Sequence, residues 1–134
     1  MAYAKQMLDT HPLPAHVDRE VLARCIEACF ECAQSCTGCA DADLAEEDVS
    51  ELRRCIRLCL DCADICDATG GVLSRQTAYD APTSTAQVVS CRLACATCGE
   101  ECERHAEYHA HCTLCAAACR RCQDACDRLL GAMR

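Results

Sequence analysis

Cysteine is the residue type whose number and spacing decide what chemistry this chain can perform. The chain has 18 cysteines among 134 residues, with one phenylalanine and no tryptophan. They form four groups in which successive members are three or four residues apart: Cys25, Cys29, Cys32, Cys36 and Cys39; Cys55, Cys59, Cys62 and Cys66; Cys91, Cys95, Cys98 and Cys102; Cys112, Cys115, Cys119, Cys122 and Cys126. Thiolates are soft ligands that suit Cu(I), Zn(II) and iron–sulfur clusters. The cysteines therefore predict a metal-binding protein.

The spacing within each group favours Cu(I) among these metals. Residues four apart on a helix have Cβ atoms about 5–6 Å apart, so their sulfurs can flank one ion. Cu(I) accepts two or three sulfurs, and one monovalent ion per thiolate leaves a buried site nearly neutral. We therefore expect multiple Cu(I) ions, on the order of one per cysteine, in a protein that stores or buffers copper and is not an enzyme.

Other interpretations of the same cysteines stay open. A metallothionein-like buffer for zinc or other soft metals needs about four ligands per ion, usually on turns. An iron–sulfur cluster needs four thiolates that converge on one point. A thiol-redox protein would place its CxxC motif in a βαβ pattern, which the sequence lacks. The cysteines could also be structural, as neutral core thiols or as disulfides, although the disulfide torsion fits poorly along a helix.

Helices must position the cysteines. Alternating steps of three and four keep a stripe on one face of an α-helix, and this stripe recurs in four separate groups. Charged residues occupy the outer faces, so the cysteine face points inward. Short connections favour antiparallel neighbours. We predict an all-α fold, an antiparallel four-helix bundle with a cysteine-lined core in residues 17–134, after an N-terminal extension in residues 1–16 that can hold a short helix.

Local signals suggest where the first two long helices begin and end. Pro14 or the residues just after it can open the first long helix. The acidic stretch 41–48 is expected to separate it from the second. Ser50 is a candidate N-cap for that second helix.

Similar signals delimit the last two long helices. Gly70 and Gly71 are expected to interrupt or end the second helix. Thr83 or Ser84 is a candidate cap for the third helix. A tight turn within residues 105–111 joins the third and fourth helices.

The stripes differ beyond their cysteines at the two ends of the predicted bundle. One end continues into apolar residues that we expect to form a plug: Leu22, Leu73, Val88 and Leu129, with Met133 one turn further. The other end continues into Asp43 and Leu52 and into three histidines, His105, His109 and His111. Imidazole binds copper readily, so we expect these histidines to form an entry site that passes ions inward.

Charge and hydropathy exclude several classes of protein. A net charge of −8 argues against nucleic-acid binding, which rests on lysine and arginine at phosphates. No run of about 18 apolar residues is present, so we expect no membrane span. The first twenty residues contain charges and two prolines and do not resemble an export signal. We therefore expect a cytoplasmic protein, in a compartment that keeps thiols reduced.

The cysteine stripes, together with two local motifs, resemble a known family. The motifs are the turn from Cys102 to Cys112, CERHAEYHAHC, and the segment from Cys115 to Cys122, CAAACRRC. They are similar to the bacterial copper storage proteins, in the branch without an export leader, from about residue 17 to residue 130. The resemblance implies a four-helix bundle, Cu(I) held by the core thiolates at the cysteine positions above, and a homotetramer. Neither a copper chaperone that donates the metal nor a client that receives it is identified by the sequence.

Overall fold

The computed structural model describes residues 3–133, and every regular element in this part of the chain is helical. The α-helices are α1 Tyr3–Thr10, α2 Arg19–Ala45, α3 Arg53–Ser74, α4 Ala81–His105 and α5 Ala110–Ala132, and a 3₁₀ turn, Val49–Leu52, precedes α3. The all-α prediction is confirmed. The number of helices differs from the predicted four, because residues 3–10 form a fifth, short helix ahead of the four long ones.

The four long helices pack side by side around one core. Helices α2 and α4 each contact both α3 and α5, whereas α1 lies against α2. The buried positions of every long helix are mostly cysteines at steps of three or four, as the sequence pattern requires. Within residues 3–133, no helix combines the length and hydropathy that a membrane crossing needs.

Sulfur contacts give the relative directions of α2 and α5. Near the start of α2, Cys25 Sγ lies 3.9 Å from Sγ of Cys126, near the end of α5. Near the end of α2, Cys39 Sγ lies 3.9 Å from Sγ of Cys112, near the start of α5. The two helices therefore run in opposite directions.

Helices α3 and α4 follow the same rule. Cys55, near the start of α3, has its Sγ 3.9 Å from Sγ of Cys102, near the end of α4. Cys66 Sγ, later in α3, lies 3.8 Å from Cys91 Sγ, earlier in α4. Cysteines from all four long helices therefore meet along one axis.

Two helix starts differ from the predicted ones, and an aspartate caps each of them. Helix α2 begins at Arg19, after Pro14, and the Asp18 carboxylate accepts a hydrogen bond from the Val21 amide at 3.1 Å. Helix α4 is capped by Asp80 and not by Thr83 or Ser84. Oδ2 of Asp80 accepts a hydrogen bond from the backbone amide of Thr83 at 3.0 Å.

The connection between α2 and α3 is shorter than predicted. Helix α2 continues to Ala45, so most of the acidic stretch 41–48 is helical. Ser50 is not the N-cap of α3, because it lies inside the 3₁₀ turn and α3 begins at Arg53. The turn buries Leu52 completely, and this burial ties the connection to the core.

The glycine pair does not interrupt or end α3, which continues to Ser74. A glycine costs a helix about 1 kcal/mol relative to alanine, so a packing reason is needed. A Cβ atom at Gly70 would lie 2.7 Å from Cζ of Phe30 on α2. Gly70 therefore provides room for the Phe30 ring, and packing between helices outweighs the low helix propensity.

Candidate metal centre

The 18 cysteines form one continuous sulfur core. All are free thiols, and none has more than 2% of its surface exposed. Each sulfur lies 3.6–4.0 Å from at least one other cysteine sulfur. At a metal–sulfur distance of about 2.3 Å, two sulfurs at this spacing can contact the same ion. The predicted cysteine ligands are thus brought together; that each of them holds copper stays a prediction.

Possible metal sites along the sulfur core overlap. Cys32, Cys36, Cys62 and Cys119 have sulfurs within 4.8 Å of one another, and Cys36 and Cys119 also belong to a second such quartet with Cys98 and Cys115. A tetrahedral ion that takes four thiolates for itself would deprive the neighbouring quartet. Shared thiolates suit an ion that needs only two or three sulfurs. The geometry thus favours a continuous array of Cu(I) over separate zinc sites.

Burial opposes ionisation of the core thiols, although hydrogen bonding with neighbouring thiols lowers the pKa of some of them, such as Cys32 and Cys115. Hydrogen bonding with neighbouring thiols, together with burial, raises the pKa of Cys95 and Cys102 well above the usual value. An uncompensated array of buried thiolates would be very costly. Metal binding therefore has to release protons from this core.

At the histidine end of the sulfur core, a carboxylate and an imidazole lie next to the outermost thiols. Nδ1 of His111 lies 3.5 Å from Cys39 Sγ and 3.6 Å from Cys112 Sγ. Oδ1 of Asp43 lies 3.6 Å from Cys112 Sγ and 3.6 Å from His111 Nδ1. Burial is the main cause, and a hydrogen bond with Cys55 the second, that raises the pKa of the Asp43 carboxyl to about 7. We use "the mouth" for Cys39, Asp43, His111 and Cys112.

The other two predicted histidines are held by carboxylates at the edge of the mouth. Nε2 of His105 lies 2.9 Å from a Glu101 carboxylate oxygen. Both ring nitrogens of His109 are paired, with Glu46 at 2.9 Å and with Asp48 at 3.0 Å. The hydrogen bond with Asp48 raises the pKa of His109. Among the described residues, His111 is thus the histidine whose ring contacts cysteine sulfur.

Sequence reasoning missed the acidic residues as functional candidates. Asp43 continues the stripe of Cys39, four residues earlier, so its inward position was predictable, but its role as a possible ligand was not inferred. Glu46 binds Nε2 of His111 at 2.8 Å, and the two residues are 65 positions apart. No local sequence pattern indicates such a pairing.

The opposite end of the sulfur core is apolar. Four side chains with at most 4% exposure close it: Leu22, Leu73, Val88 and Leu129. We call these four residues the plug. The void between three of them and the partly buried Met133 is about 10 Å³, at the lower limit for one water molecule. A hydrated ion therefore has no open path through this end.

Comparison with known proteins places the chain among copper-binding bundles. Residues 18–131 match the profile of the copper storage protein family. The structure of the copper storage protein from Streptomyces lividans, loaded with 10 copper equivalents, is 52% identical over 96% of this chain and 98% of that chain, with a TM-score of 0.94. No significant match was found among curated proteins.

Two further structures of copper storage proteins from Streptomyces lividans are also similar to this chain. One is a cytosolic copper storage protein with five coppers, 55% identical over 84% of this chain and 93% of that chain, with a TM-score of 0.83. The other is a histidine-to-alanine variant, 54% identical over 88% of this chain and 98% of that chain, with a TM-score of 0.87. The family profile and these structures cover nearly the whole chain, and the chain belongs to the copper storage protein family.

Proposed function

We propose that this chain takes up and stores many Cu(I) ions, on the order of one per cysteine. The observation that carries the proposal is the sulfur core itself, in which 18 buried free thiols make continuous contacts. Family membership supports it, as do the relatives from Streptomyces lividans loaded with copper. Buried thiolates need compensating cations, and Cu(I) supplies one positive charge per thiolate removed from water.

The ligands that we propose for stored copper are the cysteines of all four groups. We further propose that His105, His109 and His111 receive copper at the mouth and pass it to Cys39 and Cys112. His111 is best placed for this transfer, since its Nδ1 contacts both sulfurs. His105 and His109 would have to leave their carboxylate partners first.

We propose that the storage unit is an antiparallel four-helix bundle in residues 17–134, with residues 1–16 as an extension outside it. The protein would act by binding and not by catalysis, without nucleic-acid or membrane partners. A cytoplasmic location is supported by the relative described as cytosolic. Copper would come from a donor protein or pass to a client that remains to be identified.

We also propose a homotetramer. Several large apolar side chains are exposed on the outer faces of the long helices, including Phe30 on α2, Leu60 on α3 and Leu93 on α4. Covering such side chains between copies would remove apolar surface from water. Light scattering on the reduced, copper-free protein measures the mass directly, and a mass of one chain would contradict the proposal.

The test of storage is an anaerobic titration of reduced protein with Cu(I) against a chromophoric chelator. We expect saturation near 18 ions per chain, about one per cysteine. Replacing Cys62, Cys66 and Cys95 by serine should lower the capacity by about three ions. The matched control replaces exposed Asp64 and Asp67 of α3 by serine and should leave the capacity unchanged.

Two outcomes would contradict storage of Cu(I). Saturation near one ion per four cysteines, with equal results for zinc, would indicate the zinc-type buffer instead. Binding of one or two ions only would indicate a redox or structural role for the cysteines. Circular dichroism of each variant shows whether the helices persist, so that a loss of capacity is not confused with unfolding.

A further inference from the structure

The carboxylate of Asp43 is buried without adequate partners. The side chain has no exposed surface, and its Oδ2 has no hydrogen-bond partner. Its Oδ1 contacts a thiol and an imidazole nitrogen, Cys112 Sγ and His111 Nδ1, both at 3.6 Å. A buried carboxylate of this kind is costly unless it is paired or coordinates a metal. A bound cation would therefore compensate the cost of burying this carboxylate.

Five of the six separations among the four donor atoms of the mouth fit a tetrahedral metal site. The two sulfurs are 3.9 Å apart, His111 Nδ1 lies 3.5 and 3.6 Å from them, and Asp43 Oδ1 lies 3.6 Å from both Cys112 Sγ and His111 Nδ1. Around a tetrahedral Zn(II), with ordinary bond lengths, such S, N and O ligands are about 3.3–3.8 Å apart. These five separations match that geometry to within a few tenths of an ångström.

A carboxylate outside this set orients the imidazole as a ligand. Nε2 of His111 lies 2.8 Å from Glu46 Oε2, so the Nε2–H donates to Glu46 and the lone pair of Nδ1 faces the other donor atoms. Metal-bound histidines usually make such a hydrogen bond through their second nitrogen. Glu46 is itself held by Nδ1 of His109 at 2.9 Å. The contact with Glu46 therefore favours the tautomer that a metal ligand needs.

We propose that Cys39, Asp43, His111 and Cys112 form a site for one divalent tetrahedral ion of the Zn(II) class. A carboxylate oxygen is a hard ligand that Cu(I) does not favour, whereas Zn(II) accepts oxygen, nitrogen and sulfur together. Two thiolates and one carboxylate leave a net charge of −1 around a divalent ion. A quartet of core thiolates would leave −2 in a fully buried place, at a higher desolvation cost. The first zinc ion therefore binds at the mouth.

The site would place a zinc ion across the open end of the sulfur core. Copper that enters there has to displace this ion, since Cu(I) uses the same two thiolates. Zinc would thus delay copper loading without lowering the final capacity. This inference is independent of copper storage, because the site is measured on copper-free protein.

The test is a titration of the reduced, copper-free full chain with Zn(II) against a chromophoric zinc indicator, without oxygen. We expect one tight equivalent per chain, with proton release. Asp43→Asn should weaken this equivalent at least about tenfold, and Glu46→Gln should weaken it by about tenfold through the imidazole. Co(II) used in place of Zn(II) should give the absorption of a tetrahedral ion with two thiolate ligands.

Matched controls separate the mouth from general charge and from the core. Asp41→Asn removes an exposed acid two residues away on the same helix and should leave zinc affinity unchanged. Cys25→Ser removes a thiol at the plug end and should also leave the first equivalent intact. The proposal is overturned if several zinc ions bind equally well, if Asp43→Asn and Glu46→Gln bind like the parent, or if Co(II) shows four thiolate ligands. The Glu46→Gln result decides the matter if Asp43→Asn proves unfolded.

Discussion

At the plug the sulfur core ends against four buried aliphatic side chains, whereas at the mouth it ends against a carboxylate and an imidazole. Both ends continue the same cysteine stripes, so helix geometry alone does not distinguish them. The plug contributes hydrophobic burial, which the small thiols of the core supply only weakly. The mouth buries polar groups, which lowers stability but supplies ligands. Stability and metal access are therefore concentrated at opposite ends.

This division predicts that changes at the plug act on folding and changes at the mouth act on metal. It also predicts that the copper-free chain is already folded, because the plug and the flanking apolar residues close the core around neutral thiols. Circular dichroism of the reduced, metal-free protein should show a largely helical chain. A largely disordered spectrum, as in zinc fingers without metal, would remove the basis of the comparison.

The largest effect is expected at the plug. Leu129 has 1% of its surface exposed, so Leu129→Ala should leave a cavity and lower the free energy of unfolding by about 2–5 kcal/mol. Chemical denaturation of the copper-free protein measures the change. The matched control is Leu114→Ala on the same helix, where the side chain is 71% exposed and the change should stay within about 0.5 kcal/mol. Equal effects of the two substitutions would contradict the plug.

A somewhat smaller effect, of opposite sign, is expected from Asp43→Asn at the mouth. Burial raises the pKa of this carboxyl from 3.8 to about 7. The folded protein therefore holds its proton more tightly than the unfolded chain, and stability falls as pH rises from about 4 to 7. At 1.36 kcal/mol per pKa unit, the loss is at most about 4 kcal/mol.

Asparagine at this position cannot ionise, so the variant should be more stable than the parent at pH 7.5 and nearly equal to it at pH 4. Denaturation at both pH values, in metal-free buffer with a chelator, gives the two differences. The comparison fails if Asp43→Asn is less stable than the parent at pH 7.5, because the carboxylate would then be stabilising.

The sequence predicted the sulfur core well, since each cysteine group carries its own helical period. It did not predict that α3 would continue through Gly70, because the reason is the ring of Phe30 on another helix. Local composition favoured a break there, and packing between helices overrode it. The aspartate caps were missed for a related reason, namely that boundary signals are weak and compete with one another.

The mouth was predicted only in outline. The stripes indicated which residues approach this end, but not which side chains touch. His109 meets Asp48 across 61 positions of sequence, and a spacing rule within one helix cannot detect such a contact. The three histidines therefore looked equivalent in the sequence, although His111 contacts both sulfur and carboxylates, whereas His105 and His109 are paired with carboxylates.

A moderate effect on copper loading should separate these histidines. His111→Ala removes the ring that contacts Cys39 and Cys112, so Cu(I) uptake from a chromophoric chelator should slow several-fold. His105→Ala should slow uptake less, because that ring is paired with Glu101. Final capacity should change by no more than about one ion in either variant. Leu129→Ala supplies the plug control and should load at the parental rate; if it alone slows, the assignment of mouth and plug is wrong.

The smallest effect is expected from Asp48→Asn at the outer edge of the mouth. The hydrogen bond with Asp48 raises the pKa of His109, and the same bond lowers the pKa of Asp48. Because the pKa of His109 is raised, its contribution to stability is fully present below pH 6.5 and is lost as pH rises through the pKa of the folded state. Because the pKa of Asp48 is lowered, its contribution is present above pH 3.8 and is lost as pH falls through the pKa of the folded state. The pair therefore stabilises the fold most between these two pH values, and its contribution declines at neutral pH.

Asp48→Asn should lower the pKa of His109 in an NMR titration, whereas Glu47→Gln, which removes a neighbouring exposed charge, should change it less. If both variants leave the pKa of His109 at its parental value, Asp48 does not hold this ring, and the distinction between His109 and His111 loses its electrostatic basis.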